Sequence, residues 1–175
     1  MMTPSVKKTW APAGRTPVVP YRNRNHRKVS VLGAVALDPA SGHVDLLCDF
    51  HPDGYVRGER AAAFLRRVLA EYPGRPVDLV WDNLSAHKGV IVKAVVAANP
   101  RLTLHYFPPY APDLNPQEGV WCLVKHHRMA NHTIDDVGQL HATAAGHLDE
   151  VGRSQTLLRS CFGGADLALS LSSAQ

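Results

Sequence analysis

The alternation of short aliphatic runs with helical patterns between residues 28 and 107 constrains the fold most. "KVSVLGAVAL" (28–37) and "HVDLLCDF" (43–50) are rich in β-branched and aliphatic residues, and "DPASG" (38–42) carries turn chemistry between them. They predict a β-hairpin. "ERAAAFLRRVLAEY" (59–72) sets Phe64, Leu65, Val68 and Leu69 on one helical face, with Arg60, Arg66, Arg67 and Glu71 largely off it. Pro73-Gly74 stops that helix. "VDLVWDN" (77–83) predicts a buried strand, "GVIVKAVVAAN" (89–99) a buried helix, and "LTLHYF" (102–107) a further strand. Helices over 116–130 and 134–150 follow, the second with Val137, Leu140, Ala144 and Leu148 aligned and Thr133 and Asp136 placed to cap its start. The order β-β-α-β-α-β-α-α predicts a mixed sheet covered by helices in one α/β domain. Outside it, residues 1–27 read as an extended basic arm and 151–175 as a C-terminal tail, loose over "FGGADLALSLSSAQ".

A chain of 175 residues, 45% hydrophobic and 19% charged, suits a soluble domain with its own core. No apolar run approaches the roughly 20 residues of a membrane span. No apolar stretch follows Lys7 and Lys8 as a secretory signal requires. Cys48, Cys122 and Cys161 form no C-x-x-C pair, so they read as reduced thiols of a cytosolic protein. Charge is unevenly placed. Lys7, Lys8, Arg15, Arg22, Arg24, Arg27 and Lys28 precede the first acid, Asp38, whereas the remaining 12 basic residues meet 15 acids. The basic limb suits a polyanion, nucleic acid first; the alternative is a solvated terminus.

Two acids have informative settings. Asp82 ends the strand "VDLVWDN", where ligands of open α/β sheets sit; the plainer alternative is that Asp82 or Asn83 caps the next turn. Glu118 falls on the first turn of a helix whose N-cap is Asn115 and first residue Pro116. There it serves either as half of a capping box, reaching back to the Asn115 N–H, or as a carboxylate aimed by a stiff approach. Pro108, Pro109 and Pro112 supply the stiffness. Together the two acids suit a hard divalent cation, Mg²⁺ or Mn²⁺, completed by phosphate oxygens; a two-metal site ordinarily needs a third carboxylate. The ten histidines match no zinc spacing, and Lys125 and Arg128, flanking His126 and His127, either face phosphates or form a solvated helix face.

"WDNLSAH" (81–87) and "YFPPYAPDLNPQEGVW" (106–121) closely resemble the last two motifs of the DDE transposases, in the mariner-related insertion-sequence branch. The 35 residues between Asp82 and Glu118 fit that branch, and "KKTWAPAGRTPVV" (7–19) is similar to its segment after the first catalytic strand. The resemblance implies a ribonuclease H-like catalytic domain over 28–150, cleaving and joining transposon-end DNA with a divalent metal. Asp82 and Glu118 would be the second and third acids and metal ligands, with Asn83, His87 and Asn115 in support. Arg22, Arg24, Arg27, Lys28, Lys125 and Arg128 would contact DNA, and function in the family implies a dimer on paired ends. No small-molecule cofactor and no membrane enter, and a nucleoid-associated place in the cytoplasm is expected.

The first acid of that family precedes the Trp-Ala-Pro segment, and here no acid precedes Asp38. Asp38 and Asp49 are weak substitutes, one heading a turn and the other ending a hairpin strand. The expectation is therefore a partial domain lacking its first central strand, from a truncated or split gene. Activity would be incomplete in this chain. The alternatives are a catalytically inactive remnant that at most binds DNA and a stand-alone ribonuclease H-like nuclease.

Overall fold

The computed structural model describes residues 5–18, 27–167 and 169. Strands β1 (Val29–Leu37) and β2 (Val44–Pro52) form the expected antiparallel hairpin, with Leu37 opposite Val44. Its turn is built by Asp38, whose carboxylate accepts from the Ala40 N–H and the Ser41 hydroxyl, both at 3.0 Å. Gly42 closes the turn at φ +67°, a conformation that costs glycine little.

Helix α1 (Gly58–Glu71) follows, and its apolar stripe does two jobs. Phe64 and Val68 pack on Leu32 and Leu47 of the hairpin. Ala61, Leu65 and Leu69 pack on Trp81, Val92 and Leu102. Each large side chain buried this way is worth about 1.5–3 kcal/mol. β3 (Val77–Trp81) and β4 (Leu102–Tyr106) run parallel, joined by a crossover through α2 (Val90–Ala97). Arg101, just before β4, donates to the main-chain carbonyls of Leu69, Tyr72 and Arg75 and so collects the orphan acceptors at the end of α1.

The second half is helical: α3 (Pro116–Cys122), a π-helical continuation over Leu123–Arg128, α4 (Val137–Gly152) and α5 (Gln155–Gly164). α4 and α5 cover one face of the hairpin, where Val44, Leu148, Val151 and Leu158 share a core with Val120. Burial there pushes the Cys48 thiol up to about 12, so it stays protonated at neutral pH.

Four expectations need correction. Among the described residues the strands do not form one sheet: β1–β2 and β3–β4 are separate two-stranded sheets, both resting on α1. β3 is consequently covered on one face only, and Val80 on the other face is 47% exposed. α2 is not buried all round; Val92 and Val95 meet α1, while Val90 is 83% exposed. The stretch 151–175, set apart as a C-terminal tail, is helical through its first half. α4 runs to Gly152, and α5 starts where the Ser154 hydroxyl accepts the Leu157 N–H at 3.3 Å, burying Leu158, Cys161 and Phe162. At the start of α4 the cap is Asp136, accepting the Gln139 N–H at 2.8 Å, and not Thr133.

Because Leu158 is fully buried, Leu158→Ala is expected to lower unfolding free energy by about 2–5 kcal/mol in urea titrations followed by circular dichroism. A loose tail would give no change.

Candidate active site

β1, β3 and α3 enclose a cleft of about 880 Å³, lined by residues 31–37 of β1, 77–81 of β3 with residue 82 just after it, and 114–118 on the approach to and start of α3. Both carboxylates singled out from sequence lie on it.

Asp82 follows directly on β3 and is more than half exposed. Its Oδ1 accepts the Leu84 N–H at 3.0 Å, so the turn-capping role is present. The same oxygen lies 2.7 Å from His87 Nδ1, off the geometry a hydrogen bond requires; the contact is electrostatic and strengthens when the ring is protonated. His87 is only 5% exposed and stacks on Trp81 with centroids 4.0 Å apart and planes 13° from parallel. Asp82 Oδ2 carries no hydrogen bond among the described residues. Asn83 ties the ends of the two strands together, donating to Phe107 O at 2.7 Å while its own carbonyl accepts from Lys88 Nζ at 2.8 Å.

Glu118 arrives from the other side. Asn115 is the N-cap of α3, accepting the Gln117 N–H at 3.1 Å, and Pro116 is the first helical residue. The capping box does not form. The Asn115 N–H donates instead to Pro112 O at 2.9 Å, closing the short 3₁₀ turn Pro112–Leu114. Glu118 is exposed, and its carboxylate has no hydrogen bond or ion pair among the described residues. The proline-rich approach thus satisfies the group that would have occupied Glu118.

The other candidates are placed differently. Asp38 is a turn residue: the Arg75 guanidinium, then the Ala40 N–H and Ser41 hydroxyl, hold its carboxyl down at about 2. Asp49 pairs with Arg67. Arg128 pairs with Glu150, Arg27 with Asp53 at 2.6 Å, and the Lys28 ammonium sits 3.7 Å over the Tyr55 ring. Lys125 is exposed, and Arg22 and Arg24 lie outside the described residues. Among the described residues no three His, Cys, Asp or Glu side chains gather as a metal cluster.

Two lining residues were not picked out from sequence. Gln117 is 7% exposed with neither amide atom bonded, and Trp121, one turn on, packs with it against Gly33 of β1. A Cβ at Gly33 would come within 2.7 Å of the Trp121 ring. The i, i+4 spacing of Gln117 and Trp121 was the available signal.

The family model described as DDE superfamily endonuclease matches residues 2–141. The chain belongs to that family. Members typically use divalent metals. Among solved structures, the Mos1 transposase paired-end complex with the left transposon end is 19% identical, with TM-score 0.61 over 93% of this chain and 48% of that one. The Mos1 strand transfer complex is 20% identical, with TM-score 0.60 over 93% of this chain and 47% of that one. The catalytic domain of Mos1 mariner transposase is 17% identical, with TM-score 0.53 over 80% of this chain and 77% of that one. The shared fold is the ribonuclease H-like α/β architecture. The chain spans about half the length of the chains in the two complexes. Comparison with curated proteins gave no match.

As pH falls from the ordinary 3.8 toward about 2, the hairpin turn keeps its charged Asp38 while unfolded chains protonate theirs. The stabilisation is therefore complete above the unfolded value and lost as pH drops through the folded one. Carboxyl-detected NMR should place the Asp38 midpoint near 2, and Arg75→Ala should return it toward 3.8.

Proposed function

We propose that this chain is the catalytic domain of a DDE transposase of the mariner-related insertion-sequence type, acting on phosphodiesters at transposon ends. One observation carries the reading. Asp82 and Glu118 line one cleft, and the Asn115 N–H that would engage Glu118 is satisfied by Pro112 instead.

The donor set fits a hard divalent cation, Mg²⁺ or Mn²⁺, in its oxygen chemistry, though two carboxylates are fewer than a two-metal set needs. Asp82 would offer Oδ2 and Glu118 its carboxylate. Such an ion, when bound, supplies Lewis-acid polarisation of a phosphodiester and activation of the attacking oxygen. His87, held flat on Trp81, keeps the Asp82 carboxylate in place, and the Asn83 bridge to Phe107 holds the strand end that carries it. Asn115 fixes the first turn of α3 and with it Glu118. DNA would be held by phosphate contacts from Arg22, Arg24 and Lys125, with Arg27, Lys28 and Arg128 adding charge only by exchanging their present partners.

A second reading, a DNA-binding domain without cleavage activity, draws on the absence of a three-carboxylate cluster among the described residues. Mn²⁺ titration followed by electron paramagnetic resonance separates the two. The catalytic reading expects binding that Asp82→Asn and Glu118→Gln each weaken at least about tenfold. Binding unchanged in both variants would remove it. Nicking of supercoiled DNA by the chain alone is expected to be weak or absent.

DNA affinity is expected to fall steeply with salt, and charge reversal at Lys125 should flatten the log–log slope by about 1. Affinity indifferent to both would overturn the DNA assignment.

A further inference from the structure

Most of the arginines that could meet an anion are taken by acids: Arg27, Arg67, Arg75 and Arg128 each form an ion pair. Lys88, close to Asp82, is different. It is exposed, ends the 3₁₀ turn Ser85–Lys88, and pairs with no acid among the described residues. Its ammonium rests on neutral groups only, the Asn83 Oδ1 at 2.8 Å and the face of the Tyr106 ring, 5.3 Å from the centroid. A phosphate oxygen offers the opposite charge that Asn83 lacks, so it would displace the amide carbonyl readily. The turn itself is fixed from behind. His87 is buried on Trp81 and lies against Asp82, its N–H donates to Leu84 O at 2.9 Å, and its own carbonyl accepts from the Tyr106 hydroxyl at 3.4 Å. The ends of β3 and β4 thus hold an uncommitted cation and an aromatic ring together, one residue from the histidine that touches Asp82.

The aromatic surface continues into the next loop. Tyr106 is 41% exposed, and Tyr110, four residues on, is exposed completely. Tyr110 also sits at φ +58°, a backbone region that bulky side chains rarely adopt. Pro109 before it and Pro112 after it restrict the backbone motions that could fold the ring back. An outlier of this kind, on a side chain that packs on nothing, points to a contact made with something else. Tyrosine faces beside an unpaired cation are the components of a single-strand nucleic-acid platform, where bases stack on rings and phosphates meet the cation. A duplex keeps its base faces inside its own stack and would leave the rings unused.

We propose that Lys88, Tyr106 and Tyr110 form a subsite for an unpaired stretch of a DNA strand, next to the phosphodiester that Asp82 and Glu118 address. Lys88 takes a backbone phosphate and leaves the Asn83 carbonyl, while the two tyrosine rings take base faces. Asn83 keeps its bond to Phe107 O throughout, so the strand ends stay tied when the lysine moves. The subsite rests on the phosphodiester reading above and adds to it the side chains that hold a strand at the Asp82 rim.

Fluorescence anisotropy on the full chain tests this, with a labelled dT strand of about 12 nucleotides and a duplex of the same length as probes. The titrations run over a salt series in EDTA, so the metal site does not enter. Lys88→Ala should weaken dT binding at least about fivefold and flatten the log–log salt slope by about 0.7, one phosphate contact on a single strand. Lys88→Arg should keep both. Tyr106→Ala and Tyr110→Ala should each weaken dT binding about tenfold with the slope unchanged, Tyr106→Phe should not, and duplex affinity should move less than about twofold in all three. On the unmodified chain, NMR titration with the dT strand should shift the Asn83 side-chain amide as Lys88 leaves it. Three outcomes would each overturn the proposal: a salt slope that Lys88→Ala leaves alone, tyrosine variants that lose strand and duplex equally, or an Asn83 amide that stays put at saturation. Mn²⁺ binding and duplex affinity are read separately. A chain that keeps both while its dT affinity ignores Lys88 and the tyrosines loses this subsite and retains the catalytic reading.

Discussion

Helix α1 holds the molecule together, because it is the surface on which both small sheets are built. Its Phe64 and Val68 belong to the hairpin and its Leu65 and Leu69 to the parallel pair, adjacent positions serving different neighbours. A helix presenting one wide apolar stripe can floor a continuous sheet; here it floors two pieces side by side. The cleft, the exposure of Val80 and the placing of both acids on its rim all follow from that arrangement.

What the sequence made legible was local. Aliphatic runs, the Asp-Pro turn and the amphipathic stripe of α1 gave the order of elements because each is decided by neighbours a few residues away. Burial was harder. "VDLVWDN" has the continuous apolar character of a strand covered on both faces, yet coverage depends on what lies beside it in space, and one face of β3 opens on the cleft. The apolar look of "GVIVKAVVAAN" misled for the same reason: α2 packs on one side only, against α1 and the parallel strands, and just that side is buried. α5 did carry a sign, since Leu158, Cys161 and Phe162 recur at helical spacing, but the small and polar residues after them dominated the impression.

The site was legible to a different degree. Asp82 and Glu118 were singled out from their positions at a strand end and a helix start, and both line one cleft. Only Asp82 keeps its plainer role. Asp82 holds the Leu84 N–H, so turn formation and exposure of its second oxygen coexist in one side chain. For Glu118 the plainer role is gone, since a 3₁₀ turn already satisfies the Asn115 N–H. That depends on how Pro112 bends the chain, which residue types alone do not specify. The basic residues were the least legible, because a cation's availability depends on acids distant in sequence: Arg128 meets Glu150, and Arg27 meets Asp53.

The Arg101 clamp bears on how the molecule comes apart. Its guanidinium gathers carbonyls from Leu69, Tyr72 and Arg75, so the start of β4 and the end of α1 cannot separate without leaving several acceptors stranded. The hairpin is tied to the same helix end by side chains, Tyr72 donating to Asp45 at 3.0 Å, Arg67 to Cys48 O and Asp49, and Arg75 to Asp38, while α4 and α5 hold its far side. Both sheets are therefore pinned to one helix, and the cleft lies between two pieces that share that support. Widening the cleft would have to break these side-chain bonds, so polar ties at one end of α1 resist separation of the two sheets that wall it.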